Sequence, residues 1–218
     1  MSITFPRELP PGGFLTVDFE LELQQVLAAE RGGRLVSVDL GPPRWRAEFQ
    51  TPPMDMVRLG AWRAWLASLR GAARTFVGVD PFRRYPAAYR TGFAGLTRPG
   101  GAAFDGTALS VALSAARDLV SLTGLPAGLR LQPGDYISLT WESGAKRSLH
   151  RVLDDAAADA AGLGAWTVEP IVPEYVTAAI ATLAEPGCIM RLSGEPEIEM
   201  SLGRTGSVRF TALQHLEA

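Results

Sequence analysis

The sequence predicts a mainly β protein, built as barrels or sandwiches, with one packed α-helix. Three observations predict it. Apolar and polar residues alternate with period two in one segment after another. A helical period occurs once, between Asp55 and Gly71. Gly- and Pro-containing turns cut the rest of the chain into short runs.

Leu15, Val17, Phe19, Leu21 and Leu23 alternate with Thr16, Asp18, Glu20, Glu22 and Gln24, a half-buried strand with an acidic wet face. Gly32-Gly33 mark a turn, and Val36, Val38 and Leu40 alternate up to Gly41-Pro42-Pro43. Trp45, Ala47 and Phe49 alternate with Arg44, Arg46, Glu48 and Gln50. These three strands suggest an antiparallel meander. Leu59, Trp62, Leu66 and Leu69 then fall on one helix face, which Trp65 widens. Asp55 is the expected N-cap and Gly71 the expected C′ residue. The tryptophans read as core residues anchoring the helix on a sheet.

Thr75–Val79 is a short strand closed by Asp80-Pro81. From Phe82 to Gly106 the chain is rich in Arg, Pro, Gly and aromatics and has no period, so it reads as a long loop. Leu109, Val111 and Leu113 form a further strand. Leu129–Leu131, the turn Gln132-Pro133-Gly134-Asp135 and Tyr136–Trp141 read as strand, turn, strand. Ser148–Leu153 and Trp166–Ile171 are two more strands, and Asp154–Gly164 between them reads as a turn. Tyr175–Leu183 carries no clear pattern. Gly187–Leu192, Glu197–Leu202 and Ser207–Leu213 close the chain, the last two joined by Gly203-Arg204-Thr205-Gly206.

The 218 residues suffice for one or two domains. A net charge of −2 argues against a nucleic-acid readout, which needs a basic face. Twenty of the 21 basic residues are arginine, with Lys146 the one lysine, a bias expected of a GC-rich genome. No apolar run is long enough to span a membrane. Met1–Gly13 lacks the apolar core of a signal peptide, so the sequence predicts a protein made in a cytosol.

Chemistry-bearing residues are sparse. Cys188 is the one cysteine and reads as a buried, inert thiol. His150 and His215 are the two histidines, and both read as packing or surface residues. There is no G-x-S-x-G elbow and no phosphate-binding glycine loop. Asp154, Asp155 and Asp159 lack calcium-loop spacing and read as a solvated loop. Glu195, Glu197 and Glu199 read as a wet strand face or an acidic docking strip. The sequence therefore predicts no enzyme, no catalytic residue, no cofactor and no metal. Phe82, Arg83, Arg84, Tyr85, Tyr89, Arg90 and Phe93 supply the aromatic and arginine residues enriched at interfaces, and form a candidate subunit interface.

Three segments carry a resemblance. The first is Trp62–Gly71, a helix closing on Leu69-Arg70-Gly71, followed by Thr75-Phe76 and Asp80-Pro81. The second is the order Pro133-Gly134-Asp135-Tyr136, Leu149-His150-Arg151-Val152 and Val168-Glu169-Pro170. The third is the closing hairpin from Ile198 to Leu213. Together they resemble tail-tip structural proteins of long-tailed bacteriophages, and most of all the distal tail proteins.

That resemblance implies a virion protein of the tail tip, with no active site. Its copies would form a ring, usually a hexamer, between the tail tube protein and the tail hub or baseplate proteins. It also implies a ring-forming domain, a β-sandwich or split barrel with one packed helix, carrying a second β-domain. The expected division is residues 1–98 and 176–218 for the ring-forming domain, with 99–175 as an inserted small β-barrel. Another minor tail or hub protein is the nearest alternative. A carbohydrate-binding module is the alternative of a different class, with Tyr136, Trp141 and Trp166 as sugar platforms.

Overall fold

The first alternating run forms strand β1 (Thr16–Glu22) in the computed structural model, which describes residues 3–29 and 32–216. Along the chain follow β2 (Gln25–Ala29), β3 (Leu35–Asp39), β4 (Arg44–Gln50), β5 (Met54–Asp55), α1 (Met56–Leu69) and β6 (Phe76–Val79). Then come β7 (Ser110–Leu113), β8 (Leu119–Thr123), β9 (Arg130–Leu131), β10 (Tyr136–Trp141), β11 (Lys146–Val152), β12 (Ala156–Ala157) and β13 (Gly164–Glu169). The last four are β14 (Ile180–Thr182), β15 (Gly187–Leu192), β16 (Glu197–Met200) and β17 (Thr205–Gln214). The molecule is mainly β, with a single α-helix among the described residues.

The first sheet runs β1-β4-β17-β15-β6, and β5 and β16 pair with the first half of β17. Helix α1 lies on one face of it. The Asp55 carboxylate accepts the backbone N–H groups of Val57 and Arg58, both at 2.9 Å, which caps the first turn as expected. At the other end Arg70 and Gly71 both take left-handed backbone, at φ 51° and 65°. A 14-residue helix is marginal alone, so its packed face holds it in place. Trp62 and Trp65 are buried core residues, as their spacing predicts. Trp65 meets Phe76 edge-on at 5.2 Å, and Phe49 stacks on Phe210 at 5.0 Å. Helix and sheet approach closely at Gly206, where a Cβ would lie 2.7 Å from Leu59 and 2.6 Å from the Glu199 carbonyl oxygen.

The second sheet runs β14-β10-β11-β13-β8-β7. Its interior holds Val120, Leu122, Ile137, Leu139, Trp166 and Val168. The expected small barrel is not formed as a closed ladder. The sheet curls until an isolated bridge, Thr107 to Thr182, links its two edges, and the Ala108 N–H donates to the Ala181 carbonyl at 2.9 Å.

The two sheets are bonded to each other. The Trp45 indole N–H donates to the Leu149 carbonyl at 2.7 Å, and the Ser138 hydroxyl to the Gly187 carbonyl at 2.7 Å. Tyr136 and Leu149, from the second sheet, complete the core of the first.

Several expectations need correction. The first three predicted strands do not form a meander. β1 pairs with β4, whereas the Val36–Leu40 run pairs with β2 in a separate two-stranded hairpin. Alternation reports a strand but not its partner. The division at residues 98/99 and 175/176 does not follow the packing either. Tyr85, Tyr89 and Phe93 pack into the second sheet's core, and Ile180–Thr182 pairs with β10. Apolar rings from the 82–106 loop gain by leaving water for the second sheet's interior.

Strand β8 has no counterpart among the expected strands, because the turn before it carries neither Gly nor Pro. Its left-handed position is taken by Arg117 at φ 60°. The Arg117 guanidinium donates to the carbonyls of Val172 at 2.7 Å, Pro173 at 2.6 Å and Val176 at 2.8 Å. Those bonds compensate the strained backbone. Arg117→Ala keeps the strain and removes three hydrogen bonds, leaving the Pro173 carbonyl with the Val176 N–H alone, so it should lower unfolding free energy by about 2 kcal/mol in urea titration. A loss under about 0.5 kcal/mol would show that water replaces the guanidinium fully.

Candidate interaction surfaces

The 82–93 loop, which sequence reading singles out, is positioned from the turn Gln132–Asp135. The Asp135 carboxylate accepts the Gln132 N–H within the turn and the Ala87 N–H of the loop, each at 2.8 Å. Arg83 donates to the Gly134 carbonyl at 2.9 Å, and its guanidinium lies 5.4 Å from the centre of the Tyr136 ring. Arg84 forms an ion pair with Glu185, whose N–H donates to the Arg84 carbonyl at 2.6 Å. Residues 83–87 of the loop are therefore tied to the turn that precedes β10 and to Glu185.

This arrangement divides the seven candidate interface residues. Phe93 is buried against Phe104 and Tyr85, and Tyr85 and Tyr89 are half-buried beside it. These three belong to the core. Phe82, Arg83, Arg84 and Arg90 remain exposed and, with Pro133 and Asp135, line an open cleft of about 570 Å³. Asp80 sits behind Phe82, buried, with its carboxylate accepting the Phe82 N–H at 2.9 Å. Burial pushes its pKa above the usual aspartate value.

Ser148 and His150 share a face of β11 and are both buried. A carbonyl only accepts, so His150 donates from Nδ1 to the Pro170 carbonyl, 2.7 Å away. Its Nε2 then accepts the Ser148 hydroxyl at 2.8 Å. The imidazole is neutral and satisfied on both nitrogens. Burial lowers its pKa to about 4. Of the two roles expected of His150, packing or surface, it takes the packing one. The Cys188 thiol is buried as expected, and burial pushes its pKa up.

The carboxylates near residue 155 serve local structure. Asp154 accepts the Thr167 N–H at 3.0 Å, Asp155 pairs with Arg130, and Asp159 accepts the N–H groups of Ala161 and Leu163 at 2.9 and 2.8 Å. Glu197 stands opposite Arg209 in register, and Arg209 forms an ion pair with Glu48. Among the described residues no three of His, Cys, Asp and Glu converge to hold a metal ion. Tyr136, Trp141 and Trp166 are buried and present no open ring face for a sugar to stack on.

One surface escaped the sequence reading: the β2–β3 hairpin, whose apolar side chains stand in solvent. The signal was present. Val26-Leu27 and Leu35-Val36 place apolar residues at successive positions, on both strand faces, where a half-buried strand alternates.

No protein-family model matches the chain, and no curated protein matches it in sequence. Among the described residues no helix is long and apolar enough to cross a membrane.

Proposed function

We propose that the chain is a structural protein of a phage tail tip: a distal tail protein whose copies close into a six-membered ring joining the tail tube to the hub or baseplate of the virion. The observation that carries this reading is the two-sheet plan. One sheet with a single packed helix is assembled from residues 16–79 and 187–214, and the second sheet, 110–182, is inserted between them. The resemblance of the Pro133–Tyr136, Leu149–Val152 and Val168–Pro170 segments implies a plan of the same kind, a helix-bearing ring domain with an added β-domain. The exposed rim of Phe82, Arg84 and Arg90 supports a role in subunit contact, because aromatic and arginine side chains dominate interface energetics.

A ring needs a heterologous contact, in which two different surfaces of the same chain meet and the rotation closes. Purified protein should therefore sediment as one closed species, and negative-stain micrographs should show rings with a central opening. A chain that stays monomeric over its soluble concentration range, without rings, would overturn the reading.

A further inference from the structure

We infer that a pocket at the junction of the two sheets, floored by Gln214, Ser148 and His150, binds a small uncharged aromatic molecule bearing a hydroxyl group, a phenol. The site lies outside the 82–93 loop and does not depend on the assembly reading above.

The pocket has a volume of about 260 Å³. Pro42 and Pro43, which precede β4, and Pro170, Pro173 and Tyr175, which follow β13, form its walls. Among the described residues no charged side chain lines it. An ion would lose its hydration there without a counter-charge, so the ligand is neutral. An apolar cavity of ~150 Å³ holds a benzene ring, so this pocket takes one ring with a short substituent.

The floor is polar, and its donors and acceptors can be assigned. Gln214, on β17, has only 4% of its surface exposed. Its side-chain oxygen accepts the Trp45 backbone N–H at 3.2 Å. A backbone N–H only donates, so this bond fixes the amide orientation and leaves the Nε2 group as the free end. No acceptor among the described residues takes its protons. Buried polar groups are almost always partnered, so this donor in an otherwise apolar pocket points to a ligand oxygen. Beside it, the Ser148 hydroxyl gives its proton to His150 Nε2, and His150 Nδ1 donates to the Pro170 carbonyl. The imidazole is used on both nitrogens, whereas the Ser148 oxygen keeps a lone pair.

The floor thus offers one unused donor, on Gln214, and one unused acceptor, on Ser148. A hydroxyl answers both, accepting from the amide and donating to the serine oxygen. A carbonyl would leave the serine unanswered, and a bare hydrocarbon would leave the amide unpaired. Ile171 stands at the mouth with 53% of its surface exposed, and a seated aromatic ring would cover part of it.

The test uses the full chain and two probes, p-cresol and toluene, which differ by the hydroxyl alone. Isothermal titration at neutral pH should show p-cresol filling a single site per chain, and toluene binding at least about tenfold more weakly. Gln214→Leu removes the amide and should bring p-cresol down to the toluene level. Gln214 also holds the Trp45 N–H, and its loss can unfold the chain, so Ile171→Asp is the second variant. It changes an exposed side chain and leaves the fold intact, and its carboxylate at the mouth should weaken both probes by at least about tenfold. Absence of saturable p-cresol binding to the wild type would overturn the inference. So would equal affinities for the two probes, or p-cresol binding that either folded variant leaves unchanged.

Discussion

Trp45→Ala is expected to destabilise the protein by about 4–5 kcal/mol, the upper range for truncating a fully buried aromatic. Trp45 is fully buried at the junction of the two sheets. Its ring lies 5.5 Å from Phe19 and 5.4 Å from Tyr136, centre to centre, and the Arg151 guanidinium sits 5.0 Å from its centre. Its indole N–H holds the Leu149 carbonyl at 2.7 Å. Truncation leaves a cavity, orphans that carbonyl and removes the face against which Arg151 packs. Arg151 also forms an ion pair with Glu20 at 2.9 Å, across the same junction. The loss should appear as a large drop in the urea midpoint, with a second transition as the sheets uncouple. Trp45→Phe keeps most of the volume and should cost clearly less. Equal losses for the two variants would mean that ring volume is not what Trp45 contributes.

The second large effect is on pH. His150 is buried and neutral, with a pKa lowered to about 4 by burial, against 6.5 in an unfolded chain. Above pH 6.5 both states carry a neutral imidazole, and its contribution to stability is fully present. As pH falls below 6.5 the unfolded state takes up a proton that the folded state refuses. Stability should then fall by up to ~1.4 kcal/mol per pH unit, reaching about 3 kcal/mol by pH 4. Denaturant titrations between pH 6.5 and 5 read this slope while most carboxylates are still ionised. His150→Gln should be less stable at neutral pH and should lose the slope in that interval. An unchanged slope in the variant would place the titrating group elsewhere.

Much of the fold was legible because its causes are local. The Asp55 cap, the 3.6-residue spacing of Leu59, Trp62, Leu66 and Leu69, and the left-handed Gly71 are each set by a few neighbouring residues. The same holds for the Gln132–Asp135 turn, whose aspartate bonds back to the Gln132 N–H. Strand β8 was hidden because Arg117 fills a position where sequence reading looks for glycine, and the carbonyls that hold it come from residues 172–176. The 82–106 loop showed no period because it is held by distant partners. Ala87 donates to Asp135, and Arg98 donates to the Gly124 carbonyl.

By itself the sequence determined the mainly β class, the one helix with its capped start, most strand positions, and the buried, packing role of Cys188. Periodicity, capping and turn chemistry act within a few residues, and a cysteine set in an apolar strand has few other uses. Only the tertiary structure decided that β17 is central to the first sheet, that Tyr85, Tyr89 and Phe93 fill the second core, and that the β2–β3 hairpin is left in solvent. The reason is physical. Alternation shows that a strand has a face to cover, but what covers it is settled by competition among all the apolar surfaces of the chain. In that competition the Val26–Leu40 hairpin found no cover within its own molecule.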